Sequence, residues 1–217
     1  MRSNLIGMYS LVAAVAMAGS AHAAVVGTTL NTLSPASAMV VTDGNISGSA
    51  SGLLPNLQGM SNSSNETVTI SGGTVTMTAI NASSSLSSFQ ARRSSADVDL
   101  SAYSSGGIRF DYSAASGPSL AVKILVFTGS TAKTYTASPI NEPTSATGFT
   151  LNWADFYSGS ERLSDNLSYL TAVRLVQFDA NGFGSSISFS NLEVVPAPGA
   201  IALLGAAGLV GARRRRN

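Results

Sequence analysis

Apolar and polar residues alternate in short runs along most of this chain, and no stretch of its body repeats apolar residues at helical spacing. Between residues 67 and 79, valine, isoleucine and methionine alternate with threonine on either side of the pair Gly72-Gly73. Two alternating runs joined by a glycine pair are typical of a β-hairpin, with threonine on the solvated face of an antiparallel sheet. The pattern therefore favours an all-β chain.

Further strands are predicted where such runs are bounded by Gly, Ser and Asn. Residues 108–112 alternate after Gly106-Gly107, and Leu120–Phe127 is almost entirely apolar, which predicts a central strand covered on both faces. The other predicted strands are Lys133–Ala137, Gly148–Asn152, Val173–Phe178 and Ile187–Val194, and the predicted loops and turns are Ser61–Asn65, Asn81–Ser88 and Asp179–Gly182. Short strands at this spacing predict an antiparallel β-sandwich.

Both ends of the chain carry a short apolar segment next to positive charge. At the N-terminus, Arg2 precedes the apolar stretch Leu11–Ala18, and Ala21 and Ala23 form the small-x-small pattern that a signal peptidase cleaves. At the C-terminus, Ala200–Ala212 is apolar and is followed by Arg213, Arg214, Arg215 and Arg216. Because positive charge holds both ends on the cytoplasmic side, we expect the polar body to lie outside the cell.

The C-terminal segment resembles the PEP-CTERM sorting signals of Gram-negative bacteria. The parts that match are Pro196, Ala197 and Pro198, the apolar run that starts at Gly199, and the terminal arginines; Ala197 stands where the family has glutamate. The resemblance implies processing by an exosortase-type membrane protease and a place at the cell envelope surface or in the extracellular matrix. It also implies that the membrane holds the chain only until processing.

A permanent single-span anchor is the alternative for this segment. Gly199 to Ala212 is fourteen residues, which is about 21 Å as a helix, whereas a bilayer core is about 30 Å thick. The short span favours a processed sorting signal.

These boundaries divide the chain into four parts. They are a signal peptide at 1–23, Ser/Thr/Asn-rich N-terminal strands of the sandwich at 24–95, the main strands at 96–195 and the sorting tail at 196–217. A signal helix and a short C-terminal hydrophobic helix are predicted at the two ends.

The body contains few groups that could carry out catalysis. It has seven basic residues against eleven acidic ones, a balance that excludes a nucleic-acid surface. The chain has no cysteine, and its only histidine is His22 in the predicted signal peptide, so Cys-His and Ser-His-Asp catalysis and histidine-ligated metals are excluded from the mature protein. Four carboxylates could in principle serve a glycosidase, but their spacing forms no motif: Asp111, Asp155, Glu161 and Asp165. We expect a protein that is not an enzyme.

The second half of the body is similar in layout to galactose-binding-like jelly rolls. The segments that carry this resemblance are Asp99–Tyr103, Gly107–Phe110, Trp153–Phe156, Leu170–Leu175 and Ile187–Leu192. Many carbohydrate-binding modules have that fold, and jelly rolls of this kind often hold a structural calcium ion. The resemblance implies a jelly-roll-like sandwich that could bind an extracellular polysaccharide.

Two sets of residues are candidate sites. Tyr103, Trp153, Tyr157 and Tyr169 are candidate glycan contacts because aromatic rings stack on the apolar faces of sugars; for Trp153 the core is the favoured alternative. Asp97 and Asp99 point to the same side of an extended segment and could hold calcium, the alternative being solvated or turn-capping aspartates. No other cofactor is expected.

Two functions follow from these observations. The first is a non-enzymatic exported surface or matrix protein sorted through its C-terminal signal, with signal peptidase and an exosortase-type protease as partners. The alternative is a carbohydrate-binding module that recognises an extracellular polysaccharide.

Overall fold

The structure is a computed structural model, and it describes residues 27–61, 66–79, 86–93, 96–114, 119–128, 130–137, 145–181 and 185–197. The predicted signal helix and C-terminal helix lie outside these residues. Within the described ranges, no helix has the length and apolar character needed to cross a bilayer.

Fifteen strands and four short 3₁₀ helices lie within the described residues. The strands are β1 Thr28–Asn31, β2 Met39–Val41, β3 Gly44–Ser49, β4 Asn56–Ser61, β5 Glu66–Ser71, β6 Thr74–Ala79, β7 Leu86–Arg92, β8 Gly107–Ala114, β9 Ser119–Thr128, β10 Thr131–Ala137, β11 Ser145–Asn152, β12 Phe156–Ser158, β13 Glu161–Arg162, β14 Val173–Asn181 and β15 Ser185–Val195. The 3₁₀ helices are Ser101–Tyr103, Trp153–Asp155, Leu163–Asp165 and Leu167–Ala172.

The strands form two antiparallel sheets. The seven-stranded sheet has the order β11-β8-β15-β6-β5-β2, with β1 paired to the end of β15, and the eight-stranded sheet has the order β13-β12-β10-β9-β14-β7-β4-β3. The inner faces of the two sheets form one core. The predicted all-β antiparallel sandwich is confirmed.

Four phenylalanines join the two layers at the centre of this core. Phe178 of the eight-stranded sheet stacks on Phe189 of the seven-stranded sheet, with ring centroids 4.2 Å apart. Phe89 meets Phe189 edge-on at 5.4 Å, and Phe110 meets Phe178 edge-on at 5.2 Å. Each ring is buried, and burying one such side chain stabilises the fold by about 1.5–3 kcal/mol.

The predicted glycine hairpin is confirmed. β5 and β6 pair in register around Gly72 and Gly73, whose φ angles are 57° and 86°. Positive φ at both central residues is the type I′ geometry that matches the twist of the flanking strands. Glycine adopts it without a steric penalty.

Two predicted loop boundaries are wrong for the same physical reason. The predicted loop Asn81–Ser88 overlaps β7, which begins at Leu86, and the predicted turn Asp179–Gly182 overlaps β14, which runs to Asn181. Ser88 and Asp179 face each other in the β7–β14 ladder. The polar character of these two residues predicted turns, but pairing between distant strands overrides that local preference.

The strand Leu120–Phe127 is central, as predicted, but is fully covered on only one face. Leu120, Val122, Ile124 and Val126 are completely buried against the other sheet. Lys123, Leu125 and Phe127 on the outer face are half-buried, because a two-layer sandwich leaves that face without a third layer.

Strands β3 and β4 gave almost no alternating apolar signal in the sequence. Several of their inward positions are glycines: the space at Gly59 is filled by Ile46, Val41 and Val68, and Gly48 packs against Met39. Close approach of neighbouring side chains replaces a large apolar residue at these positions.

Candidate functional site

A line of polar side chains crosses the outer face of the eight-stranded sheet from one edge almost to the other. Successive ladder partners are Ser47, Gln58, Gln90, Gln177, Lys123, Thr136 and Tyr157, on β3, β4, β7, β14, β9, β10 and β12 respectively. We call these seven residues the cross-sheet row. Neighbouring strands lie about 4.8 Å apart, so six spacings give the row a length of about 29 Å.

Hydrogen bonds and an ion pair hold the middle of the row in place. Gln90 Nε2 donates to Gln177 Oε1 at 2.8 Å, and Gln177 Nε2 donates to Asp179 Oδ1 at 2.7 Å. Ser88 Oγ donates to the same Asp179 oxygen at 2.6 Å, and Lys123 Nζ lies 2.5 Å from Asp179 Oδ2. The Asp179 side chain is 2% exposed. A carboxylate this deeply buried requires such partners.

The side chains of the row are neutral hydrogen-bonding groups, apart from one neutralised lysine. Its amides both donate and accept hydrogen bonds, and the charge of Lys123 is neutralised by Asp179. Gln58 has no side-chain hydrogen bond to another described residue and is half-buried. Its amide is therefore available to a ligand on this face.

Trp153, one of the predicted glycan contacts, belongs to the core. Its side chain is 2% exposed, packs against Phe156 with ring centroids 6.1 Å apart and donates from Nε1 to the carbonyl of Tyr103 at 2.6 Å. A ring covered in this way has no face for a sugar. The burial agrees with the core alternative for Trp153 and not with a glycan contact.

The three predicted tyrosines do not form one platform. Tyr103 is half-buried and its hydroxyl bonds Thr28; Tyr169 is half-buried and packs 6.0 Å from Tyr135. Tyr157 is 37% exposed, and the guanidinium of Arg162 lies 5.4 Å from its ring centroid. Of these residues, only Tyr157 joins the cross-sheet row, at its end.

The two predicted calcium ligands have other partners. Arg174 Nε donates to Asp97 Oδ1 at 2.7 Å, and the backbone N–H of Ser101 donates to Asp99 Oδ1 at 2.8 Å. Hydrogen bonds from Ser101 lower the pKa of Asp99 below its ordinary value. No group of three or more His, Cys, Asp or Glu side chains suited to a metal occurs among the described residues. Arg174 neutralises Asp97 and Asp99 binds the backbone of Ser101, which agrees with the turn-capping alternative for these aspartates.

A second charged cluster lies near the β13 edge of the same sheet. Glu161 pairs with Lys133 and accepts hydrogen bonds from Tyr135 Oη at 2.6 Å and Asn166 Nδ2 at 2.5 Å. The hydrogen bond from Lys133 is the main cause that lowers the pKa of Glu161, and burial, followed by the bond to Glu161, raises the pKa of Tyr135 to about 12. Asp111 lies in the other sheet, in the ladder between β8 and β15.

The predicted sorting motif starts directly after the last core strand. Pro196 and Ala197 follow β15 and line a cavity together with Gly106 and Asn152. The remaining predicted signal residues lie outside the described residues: Ala21, Ala23, Pro198, Gly199, Arg213, Arg214, Arg215 and Arg216.

Sequence reasoning missed the glutamines of the row. Gln90 lies between the buried residues Phe89 and Ala91, and Gln177 lies between Val176 and Phe178. This alternation marks each glutamine as outward-facing. What the sequence does not contain is the register that makes them neighbours.

Neither a family model nor a curated protein sequence matches this chain. Among solved structures, it is similar to the family 11 carbohydrate-binding module of a cellulosomal cellulase of Clostridium thermocellum, with 12% identity, a TM-score of 0.45 and coverage of 80% of this chain and 96% of that one. It is also similar to the family 11 xylanase of Neocallimastix patriciarum, with 14% identity, a TM-score of 0.39 and coverage of 72% and 98%. A family 29 carbohydrate-binding module matches with 17% identity, a TM-score of 0.33 and coverage of 72% and 90%.

Proposed function

We propose that this protein is a non-enzymatic, exported β-sandwich that binds an extracellular polysaccharide along the outer face of its eight-stranded sheet. The observation that carries the proposal is the cross-sheet row, an unbroken line of polar ladder partners on seven adjacent strands. A row about 29 Å long suits an extended polymer better than a compact small molecule.

The chemistry of the row supports a neutral glycan. Sugar hydroxyls donate and accept hydrogen bonds, as do the amides of Gln58, Gln90 and Gln177. The bonds among Gln90, Gln177 and Asp179 fix the orientations of these groups before a ligand arrives, which reduces the entropy lost on binding. Tyr157 adds an exposed ring at the end of the row, where a sugar face could pack.

Affinity electrophoresis of the full chain through gels containing soluble xylan, mixed-linkage β-glucan, dextran or agarose tests the proposal. We expect at least one polymer to retard the wild-type protein, and Gln58→Leu and Tyr157→Ala each to reduce that retardation several-fold. The matched control is Thr67→Ile with Thr78→Ile, a cross-strand pair on the outer face of the opposite sheet; it should run as wild type. Equal retardation of wild type and both row variants would refute this site.

The proposed route to the exterior is a cleaved signal peptide and processing of the PEP-CTERM-like tail by an exosortase-type protease. The pairing of the first and last described strands supports it. Thr28 at the start of β1 pairs with Val194 at the end of β15, so the chain enters and leaves the sandwich at the same place. Neighbouring points of entry and exit are compatible with attachment to one membrane before processing.

The intact mass of the protein recovered from its native cells tests this route. A chain that starts near Ala24 and ends close to Pro196 supports both processing steps and a place at the cell envelope or in the matrix. A mass that still includes Arg213 to Arg216 would refute tail processing and favour the permanent anchor.

A further inference from the structure

The outer face of the seven-stranded sheet carries a groove of about 370 Å³ on the side of the molecule opposite the cross-sheet row. Hydroxyl groups line most of it: Thr74, Ser113, Ser145, Thr147, Ser188 and Ser190. The one charged side chain in the lining is Asp111. The volume lies at the small end of the range for ligand pockets, roughly 300–1,000 Å³.

Asp111 is bonded to both strands that flank β8 beside this groove. Its Oδ1 accepts from the backbone N–H of Gly148 at 2.6 Å, and its Oδ2 accepts from Asn191 Nδ2 at 2.6 Å. Gly148 has φ 65° and Asn191 has φ 53°. Each lies where a ladder with β8 breaks register, in β11 on one side and in β15 on the other. One carboxylate thus ties two bulges to the strand between them, and bulges re-aim side chains next to binding sites.

The lining selects a class of ligand. With no basic side chain and one carboxylate, the groove repels anions. Hydroxyls that donate and accept, together with a carboxylate that can accept further hydrogen bonds, match the hydroxyl groups of a sugar.

We propose that this groove is a second saccharide site, and that the protein bridges two polysaccharide chains, one on each side of the sandwich. The two outer faces point in opposite directions because the inner faces share one core, so a polymer on one face leaves the other free. The bridging rests on the proposed function of the cross-sheet row, whereas binding in the groove does not. Two linked sites also raise the avidity for a matrix of many chains.

The test uses the full chain, the four polymers named above and two measurements, gel retardation and light scattering of polymer solutions. Ser113→Ile with Ser145→Ile fills the groove at a cross-strand pair on adjacent strands, and Thr67→Ile with Thr78→Ile is the matched control on the same face. Gln58→Leu with Tyr157→Ala disables the row. Thermal melting of each variant confirms that it is folded.

We expect the wild type and the control to cluster a retarding polymer into larger particles, which increases light scattering. The groove variant should still be retarded in the gel, but the scattering increase that it causes should be at least tenfold smaller than that of the wild type. The row variant should keep a weaker retardation. If the groove variant clusters the polymer as well as the wild type does, or if the row variant loses all retardation, the groove inference is overturned while the proposed function stands. If only the groove variant loses retardation, the groove stands and the row is refuted. If no polymer retards the wild type, both fail.

Discussion

The ion pair between Lys123 and Asp179 gives the sharpest stability prediction. The two atoms are 2.5 Å apart, the Asp179 side chain is 2% exposed and the Lys123 side chain is 35% exposed. Exposed pairs contribute about 0.2–1 kcal/mol, and breaking a fully buried pair costs about 3–5 kcal/mol. With one partner buried and the other half in water, we expect Lys123→Met to lower the free energy of unfolding by about 2 kcal/mol.

The effect should be asymmetric between the two partners. Lys123→Met leaves a buried charge with only the neutral donors Ser88 and Gln177. Asp179→Asn leaves a lysine that can turn into solvent, and the asparagine oxygen still accepts a hydrogen bond, so the expected loss is about 1 kcal/mol. The double variant should recover at least about 1 kcal/mol relative to the sum of the single losses.

Urea titration followed by tryptophan fluorescence measures these values, since Trp153 is the only tryptophan and lies in the core. For a slope of about 2 kcal/mol per molar, the Lys123→Met midpoint should fall by about 1 M. The reasoning is refuted if this midpoint equals that of the wild type, or if Asp179→Asn costs more than Lys123→Met.

Three further predictions concern pH and the hairpin. The folded state raises the pKa of Tyr135 from 10.0 to about 12. The stability contributed by the neutral Tyr135 hydroxyl is therefore complete below pH 10 and is lost towards pH 12. Over that range the urea midpoint of Tyr135→Phe should fall less than that of the wild type. The pKa of Glu161 is lowered from 4.5, mainly by Lys133. The stability contributed by the ionised Glu161 is therefore present above pH 4.5 and is lost as the pH falls further. Glu161→Gln should reduce the fall of the urea midpoint below pH 4.5, and an unchanged fall would contradict the assignment. Gly72 has φ 57° and open space where a Cβ would lie, so Gly72→Asn should leave the melting temperature unchanged or raise stability by up to about 0.5 kcal/mol; a large loss would argue against the type I′ turn.

The strands with regular alternation were predictable, and those without it were not. β8 carries Ile108, Phe110 and Tyr112 on one face, a pattern that the sequence displays directly. β3 and β4 use Gly48 and Gly59 at inward positions, so their burial depends on side chains from other strands. Asp179 shows the opposite case, in which a local turn signal was overridden by pairing with Ser88.

The candidate sites divide in the same way. The candidate aromatics could be selected by residue type, but only packing separates buried Trp153 from exposed Tyr157. The candidate calcium pair could be selected by spacing, but the spacing does not show that Arg174, far away in the sequence, donates a hydrogen bond to Asp97. Spacing along one strand says which residues share a face and says nothing about which distant side chain reaches them.

By itself, the sequence determined the backbone preference and the available chemistry. Alternating apolar residues favour half-buried strands, Gly72-Gly73 permits positive φ, and a chain without cysteine has no thiol. The tertiary structure alone decided that Gln58, Gln90 and Gln177 form one line and that Asp111 ties two bulges together. The reason is register: these residues become neighbours only through hydrogen-bonded ladders between strands that lie far apart in the chain.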